Sequence, residues 1–210
     1  MLHYGTVKST TLEILKKLMD LPELSKFSLA GGTALALRYG HRVSVDLDLF
    51  SSVDFDSEHI IINVLSKEFS NLKIHSTNNI GIFCYIDDIK IDFVKYHYFP
   101  IIAPIEEENG IRILNDCDLI AMKVNAILRR GVKKDFWDIA ELMQHYTVEN
   151  FIDYYMQKYP NQRQLISIPR ALIYFEDAEK SESPVCLKEQ TWEKVKAFIR
   201  EKTNEYLLGK

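Results

Sequence analysis

The chain has 210 residues, 26 of them Lys or Arg and 30 Asp or Glu, for a formal net charge of −4. A hydrophobic fraction of 47% is ordinary for a globular chain and ample for a sizeable core, so one domain, or a domain with a helical extension, is expected. No global basic excess advertises nucleic acid, although a local basic patch remains open because net charge governs only long-range attraction. Cys84, Cys117 and Cys186 are odd in number and widely spaced, which fits reduced thiols and no metal or redox motif. The segment MLHYGTVKST lacks a secretory pattern and no apolar run approaches membrane-spanning length, so a cytoplasmic chain with no membrane partner is expected.

Along the chain, Thr10 to Leu21 has apolar residues at a helical spacing, with Thr10 or Thr11 as cap and Pro22 after its end. Phe27 to Ala30 reads as a short buried strand. Thr33 to Tyr39 reads as an apolar helix closed by Gly40. Val45 to Phe50 reads as a strand carrying two acids. Ser57 to Phe69 has the stripe Ile60, Ile61, Val64 and Leu65, which predicts a helix capped by Ser57. Three strand-like runs follow, Leu72 to Ser76, Ile80 to Ile86 and Ile89 to Tyr96, with turns at Asn78-Asn79 and Asp87-Asp88. Pro100, Pro104 and Glu106-Glu107-Glu108 predict a loop. From Asn115 onward nearly everything has helical spacing: Asp118 to Arg130, Lys133 to His145, Val148 to Lys158, Arg163 to Glu179 and Lys188 to Leu208, with Pro169 starting or kinking one helix. The division expected is an α/β core over residues 1–114, with a small mixed sheet, and a helical C-terminal region over 115–210.

The segment LAGGTALALRYGHRVSVDLDLF, Leu29 to Phe50, carries the chemistry. Side chains alternate along a strand, so Asp46 and Asp48 share one face, roughly 7 Å apart, and repel each other unless a cation intervenes. An oxygen-preferring divalent ion, Mg²⁺ or Mn²⁺, would remove that repulsion. Gly31 and Gly32 open the preceding helix, where bare backbone amides suit a phosphate. Phosphate cradle and acidic pair in one short unit point to metal-dependent phosphoryl or nucleotidyl transfer. Ser44 shares the Asp46 face and could contact nucleotide or metal-bound water. Arg42 could reach a phosphate or pair structurally with an Asp.

The pattern Gly31-Gly32-Thr33, thirteen residues from Thr33 to Val45, then Asp46-x-Asp48 resembles the signature of the polymerase-beta-type nucleotidyltransferase superfamily. The fuller string is similar to the AbiEii/AbiGii-type nucleotidyltransferase toxins of bacterial toxin–antitoxin and abortive-infection systems. DLIAMKVNAILRRGVKKDFWDIAEL, Asp118 to Leu142, resembles that family's later Lys and Asp motifs. The resemblance implies transfer of a nucleoside monophosphate from an NTP to an acceptor. It further implies an RNA acceptor such as a tRNA 3′ end, a toxin role, and a cognate antitoxin. By the same resemblance Gly31, Gly32 and Thr33 hold phosphates, and Asp46 and Asp48 bind metal. Asp92 supplies a third metal-binding carboxylate, and Lys123 and Asp138 complete the catalytic set.

The residues themselves leave more open. Asp92 could sit on an exposed face with Lys90 as partner. Lys123 is centred on the ridge Leu119, Lys123, Ile127. It could snorkel to water, or point over the acidic site, where carboxylates and triphosphate oxygens satisfy it. In the second case Lys123→Met is expected to keep or raise stability. Asp135 could cap a first turn, which suits Asp138 less. Arg129, Arg130, Lys133 and Lys134 could be a solvated connector or a landing site for RNA phosphates. Two rival functions stand beside the main one: nucleotidylation of a protein, and a non-catalytic binding or regulatory protein on the same fold.

Overall fold

The structure is a computed structural model that describes residues 1–209. Its centre is a seven-stranded mixed sheet in the order β3-β4-β5-β2-β1-β7-β6. β1 (Phe27–Ala30) is buried at all four positions. It runs antiparallel to β2 (Leu47–Ser51) and parallel to β7 (Ile111–Ile113). β2 runs parallel to β5 (Ile89–Lys95), placing Asp48 beside Asp92 and Phe50 beside Val94. The antiparallel meander β3 (Leu72–Asn78), β4 (Gly81–Ile86) and β5 completes one side. Asp87 and Asp88 both take positive φ (48° and 63°) at the expected turn, the backbone a two-residue hairpin requires.

Burial alternates along β2: Leu47, Leu49 and Ser51 are buried, whereas Asp48 and Phe50 are only partly so. Period-two patterning thus sends the aliphatic residues into the core and leaves the carboxylate at the edge of a cleft. α1 (Ser9–Asp20) and α2 (Gly31–Tyr39) pack on the sheet, α2 ending at Gly40 in the left-handed conformation. After β7 come α5 (Asp116–Arg129), α6 (Lys133–Leu142) and α7 (Val148–Lys158). The last long helix is α10 (Trp192–Leu207). Among the described residues no helix is long and apolar enough to cross a membrane.

Several boundaries differ from the sequence reading. The acidic strand β2 starts at Leu47, not Val45: just before it the chain is held by other partners, with Val43 donating to Val185 O, Ser44 to Thr6 O, and the Asp46 carbonyl accepting from the Thr33 hydroxyl. The predicted Ser57 cap is Asp56, whose carboxylate accepts from Glu58 N and His59 N. That helix is α3 (Ser57–His59) and α4 (Ser66–Glu68) joined by a π-helical stretch, Ile60–Leu65. α1 has no side-chain cap, and Thr11 is buried. Glu106–Glu108, read as loop, is the edge strand β6, paired antiparallel with β7. The helix expected over Arg163 to Glu179 is two short pieces, α8 (Ile168–Leu172) and α9 (Glu176–Glu179). Pro169 in the first turn of α8 bars helix before it. α10 begins four residues later than expected, where the Thr191 side chain caps it by accepting from Lys194 N.

Candidate active site

The cleft opens where β1 turns into α2. Gly31 has φ +67°, and a Cβ there would lie 2.0 Å from Asp48 Oδ2. Only glycine lets the acidic strand approach this closely. A Cβ on Gly32 would meet the Arg42 guanidinium at 2.2 Å. No side chain caps α2, so its first-turn amides face the cleft without an internal acceptor. A helix N-terminus in this state is an anion site.

Gly31, Gly32, Thr33, Arg42, Ser44, Asp46, Asp48 and Lys123 line one cleft of about 490 Å³, a volume typical of small-ligand sites. Arg130 and Lys134 lie at its wall, as do the apolar side chains of Phe50, Leu119 and Met122. Thr33 is 1% exposed. Its hydroxyl donates to the Asp46 carbonyl and stands 2.8 Å from Ser44 Oγ. Both hydroxyls, expected to touch nucleotide, therefore first fix the backbone that presents Asp46.

Beneath the cleft lies a buried charge cluster. Asp138 is wholly enclosed and does not line the cleft. Its carboxylate accepts two bonds from Arg42, at 2.6 and 2.8 Å, a third contact from His41 Nε2 at 2.7 Å, and the Lys123 ammonium at 2.7 Å. Lys123 also donates to Asp135 at 2.9 Å, and Arg130 meets Asp135 at 3.2 Å. Burial alone would push the Asp138 carboxyl up, but the Arg42 and Lys123 charges hold it well below the usual range. Asp135 is lowered against the same burial by Lys123 and Arg130. Burial works against the Lys123 ammonium, and Asp138 and Asp135 together more than offset it, raising its pKa.

This geometry bears on four expectations. Asp138 holds Arg42, His41 and Lys123 and lies beneath the cleft lining, so its contacts in this structure are those of a positioning residue. Arg42 pairs with a carboxylate, the second of its two alternatives, while one edge still lines the cleft. Lys123 neither snorkels nor waits unpaired: removing it would take one cation from each of two buried carboxylates, so the expected gain in stability for Lys123→Met reverses. Asp135 is no simple cap; it is the other half of that ammonium's pairing.

The acidic residues also differ from the simplest picture. Asp46 and Asp48 both line the cleft, whereas Asp92, beside Asp48 in register, does not. Lys90 stands 2.6 Å from Asp92 Oδ2. No group of three or more potential metal ligands is pre-formed among the described residues, so the expected three-carboxylate set is not assembled. The donor chemistry nevertheless suits a hard cation. Burial and the neighbouring Asp92 push the Asp48 carboxyl up, and Asp92 Oδ1 is buried with no hydrogen-bond partner. An oxygen-only site with excess negative charge fits Mg²⁺ or Mn²⁺.

The four basic residues of the helical turn separate. Arg130 and Lys134 line the cleft. Arg129 turns to Asn125, and Lys133 donates to Glu179 O beside the Trp192 ring. Sequence reasoning missed the segment Glu182 to Val185, which forms another wall. It is strapped down by Val43 N donating to Val185 O, Leu187 N donating to His41 O, and a bridge between Arg42 and Cys186. Nothing local in Ser-Glu-Ser-Pro signals a pairing with residues so far upstream.

The sequence model described as "Nucleotidyl transferase AbiEii toxin, Type IV TA system" matches residues 13–205. The chain belongs to the AbiEii nucleotidyltransferase toxin family. It is thus an enzyme of the nucleotidyltransferase class, and the family implies an NTP substrate and an antitoxin partner. An uncharacterised protein of Aquifex aeolicus is 35% identical over 206 residues, covering 96% of this chain and 98% of the relative. The fold is shared with MenT4, a nucleotidyltransferase toxin of Mycobacterium tuberculosis, at TM-score 0.58 and 13% identity, covering 93% of this chain and 84% of that one. It is shared too with JHP933 of Helicobacter pylori, at TM-score 0.51 and 15% identity, covering 97% and 96%. As an AbiEii member, the chain carries its Gly-Gly turn, acidic pair and buried lysine on a fold that these structures share.

Proposed function

We propose that this AbiEii protein transfers a nucleoside monophosphate from an NTP to an RNA acceptor, with tRNA ends the first to test, in a divalent-metal-dependent reaction. One observation carries the reading: uncapped amides at Gly31 and Gly32, the Asp46 and Asp48 carboxylates, and the cationic edges of Arg42 and Lys123 converge on a single cleft. The acceptor hydroxyl bonds to the α-phosphorus as the bond to the bridging oxygen breaks. Pyrophosphate leaves, and the hydroxyl proton passes to a site carboxylate. Asp46 and Asp48 would hold Mg²⁺ or Mn²⁺, with Asp92 beside them, and the metal would lower the pKa of the attacking hydroxyl and neutralise the leaving group.

The remaining work belongs to the chain. The α2 amides bind phosphate oxygens. Arg42 and Lys123, fixed by Asp138, present positive charge that needs no reorganisation during the reaction. Phe50, Leu119 and Met122 give an apolar wall. Arg130 and Lys134 supply positive charge at the side where RNA phosphates would enter. In this reading residues 1–114 bring phosphate and metal groups, and residues 115–210 bring the lysine, its anchors and the acceptor side. The protein works in the cytoplasm as the toxin of a toxin–antitoxin pair.

The test is incubation with each labelled NTP, Mg²⁺, and total RNA or total protein, followed by denaturing gels. Labelled RNA that disappears with Asp46→Asn and Asp48→Asn together supports the proposal. Labelled protein with no labelled RNA would overturn the acceptor. No label in either, from folded protein, would overturn the activity.

A further inference from the structure

The reading just proposed leaves one charge without a task. Lys90 and Asp92 are two apart on β5, so they share a strand face, and Asp92 stands beside Asp48 in the parallel register. The Lys90 ammonium is 2.6 Å from Asp92 Oδ2, while the other oxygen, Asp92 Oδ1, is buried and unpartnered. Lys123, the other lysine acting on Asp48, is held in place by Asp135 and Asp138. Lys90 is free to move: its side chain is 42% exposed, against 13% for Asp92, and Asp92 is its sole hydrogen-bond partner among the described residues. A flexible four-carbon stem carrying a point charge can leave such a contact at little cost.

We propose that Lys90 is a resident counter-ion of the acidic site: its ammonium takes the place of a divalent cation on Asp92 and yields that place when metal–nucleotide arrives. The inference rests on the metal-dependent reading above. In this arrangement one Asp92 oxygen carries the ammonium and the other is left unpartnered. With Lys90 in place, the side-by-side pair Asp48 and Asp92 has one mobile ammonium resting on it. Metal arriving alone must displace that charge. Metal arriving with a triphosphate brings oxygens that can receive the released ammonium. Lys90 therefore makes the site's affinity for free metal low and its response to metal–nucleotide steep.

The experiment is thermal unfolding of the full chain titrated with MnCl₂ in the absence of nucleotide. It is run on wild type, Lys90→Met, Lys90→Arg and the Asp46→Asn/Asp48→Asn double variant. Lys90→Met is expected to lower the half-saturating Mn²⁺ concentration roughly two- to fivefold, the range for losing one partly exposed charge. Lys90→Arg, which keeps the charge, is expected to stay with wild type. If Lys90→Met leaves the half-saturation point unchanged while the double variant abolishes the Mn²⁺ effect, the counter-ion role is overturned and the metal reading stands. If Mn²⁺ stabilises the double variant as it does wild type, the metal reading fails and this inference with it. A raised half-saturation point in Lys90→Met would also overturn it, since Lys90 would then assist metal binding.

Discussion

Replacing Lys123 by Met tests whether the buried cluster exists as described. The ammonium contacts Asp135 at 2.9 Å and Asp138 at 2.7 Å, and all three side chains are buried. Breaking a buried pair by removing one partner costs about 3–5 kcal/mol, because the remaining charge has lost its compensation. Here the loss is partial. Asp138 keeps the Arg42 fork and His41, and Asp135 keeps Arg130, whose side chain is 60% exposed and therefore a weak substitute. The low end of the range applies, about 3 kcal/mol, or about 6–12 °C in Tm for a chain of this size. Urea unfolding at pH 7, followed by circular dichroism, measures it directly. The sign with pH is fixed. Asp135 and Asp138 have folded pKa values below their unfolded ones, so their contribution is full above the unfolded carboxylate range. It is lost as pH falls through the folded values. The gap between wild type and Lys123→Met should therefore be widest near neutrality and narrow below about pH 4. Adding Asp135→Asn to Lys123→Met should recover part of the loss. A Lys123→Met protein as stable as wild type at pH 7, with unchanged m-value, would refute the pairing.

Three further outcomes follow from the cleft. Gly31→Ala forces a side chain into a left-handed backbone and against Asp48 Oδ2. It should cost about 1–2 kcal/mol in urea melts and lower kcat on the order of a hundredfold through the displaced carboxylate. Asp48→Asn should raise the Tm of metal-free protein at pH 7 while abolishing transfer. Its folded pKa is raised by burial and Asp92, so wild type loses stability as pH rises from the usual carboxylate range through the folded value; a wild type whose Tm does not fall relative to Asp48→Asn anywhere above the usual carboxylate range would contradict this. Arg130→Gln with Lys134→Gln should flatten the salt dependence of RNA modification by about 1.4 units of log–log slope. Lys133→Gln should leave it alone, because Lys133 faces Glu179 and Trp192; equal effects would make the whole turn a diffuse patch.

Much of this was legible because the decisive signals are local. Gly31-Gly32 followed by an apolar helix and Asp-x-Asp states a turn, a helix start and a strand in twenty residues, and β1 has the predicted bounds. What stayed hidden is long-range. Asp138 could be recognised as significant, but its role depends on facing His41, Arg42 and Lys123 at once, and no periodicity encodes three partners from two other segments. β6 was hidden by its composition: three glutamates have low strand propensity, yet an edge strand tolerates charge. The wall at Glu182 to Val185 was hidden because its hydrogen bonds go to residues 41 to 43.

Arg42 and Asp138 are 96 positions apart, and the strap over Val43 comes from still further along the chain. During synthesis the glycine turn and the acidic strand leave the ribosome first. At that stage Arg42 has no carboxylate to fix it, Lys123 does not yet exist, and one wall of the cleft is absent. α6 supplies the carboxylates that fix both cations, Asp138 for Arg42 and Asp138 with Asp135 for Lys123. A chain that has not yet made α6 lacks the carboxylate that anchors both cations. A product ending before residue 138 would carry the Gly31-Gly32 turn with Asp46, Asp48 and Asp92, and would lack the carboxylate that fixes Arg42 and Lys123.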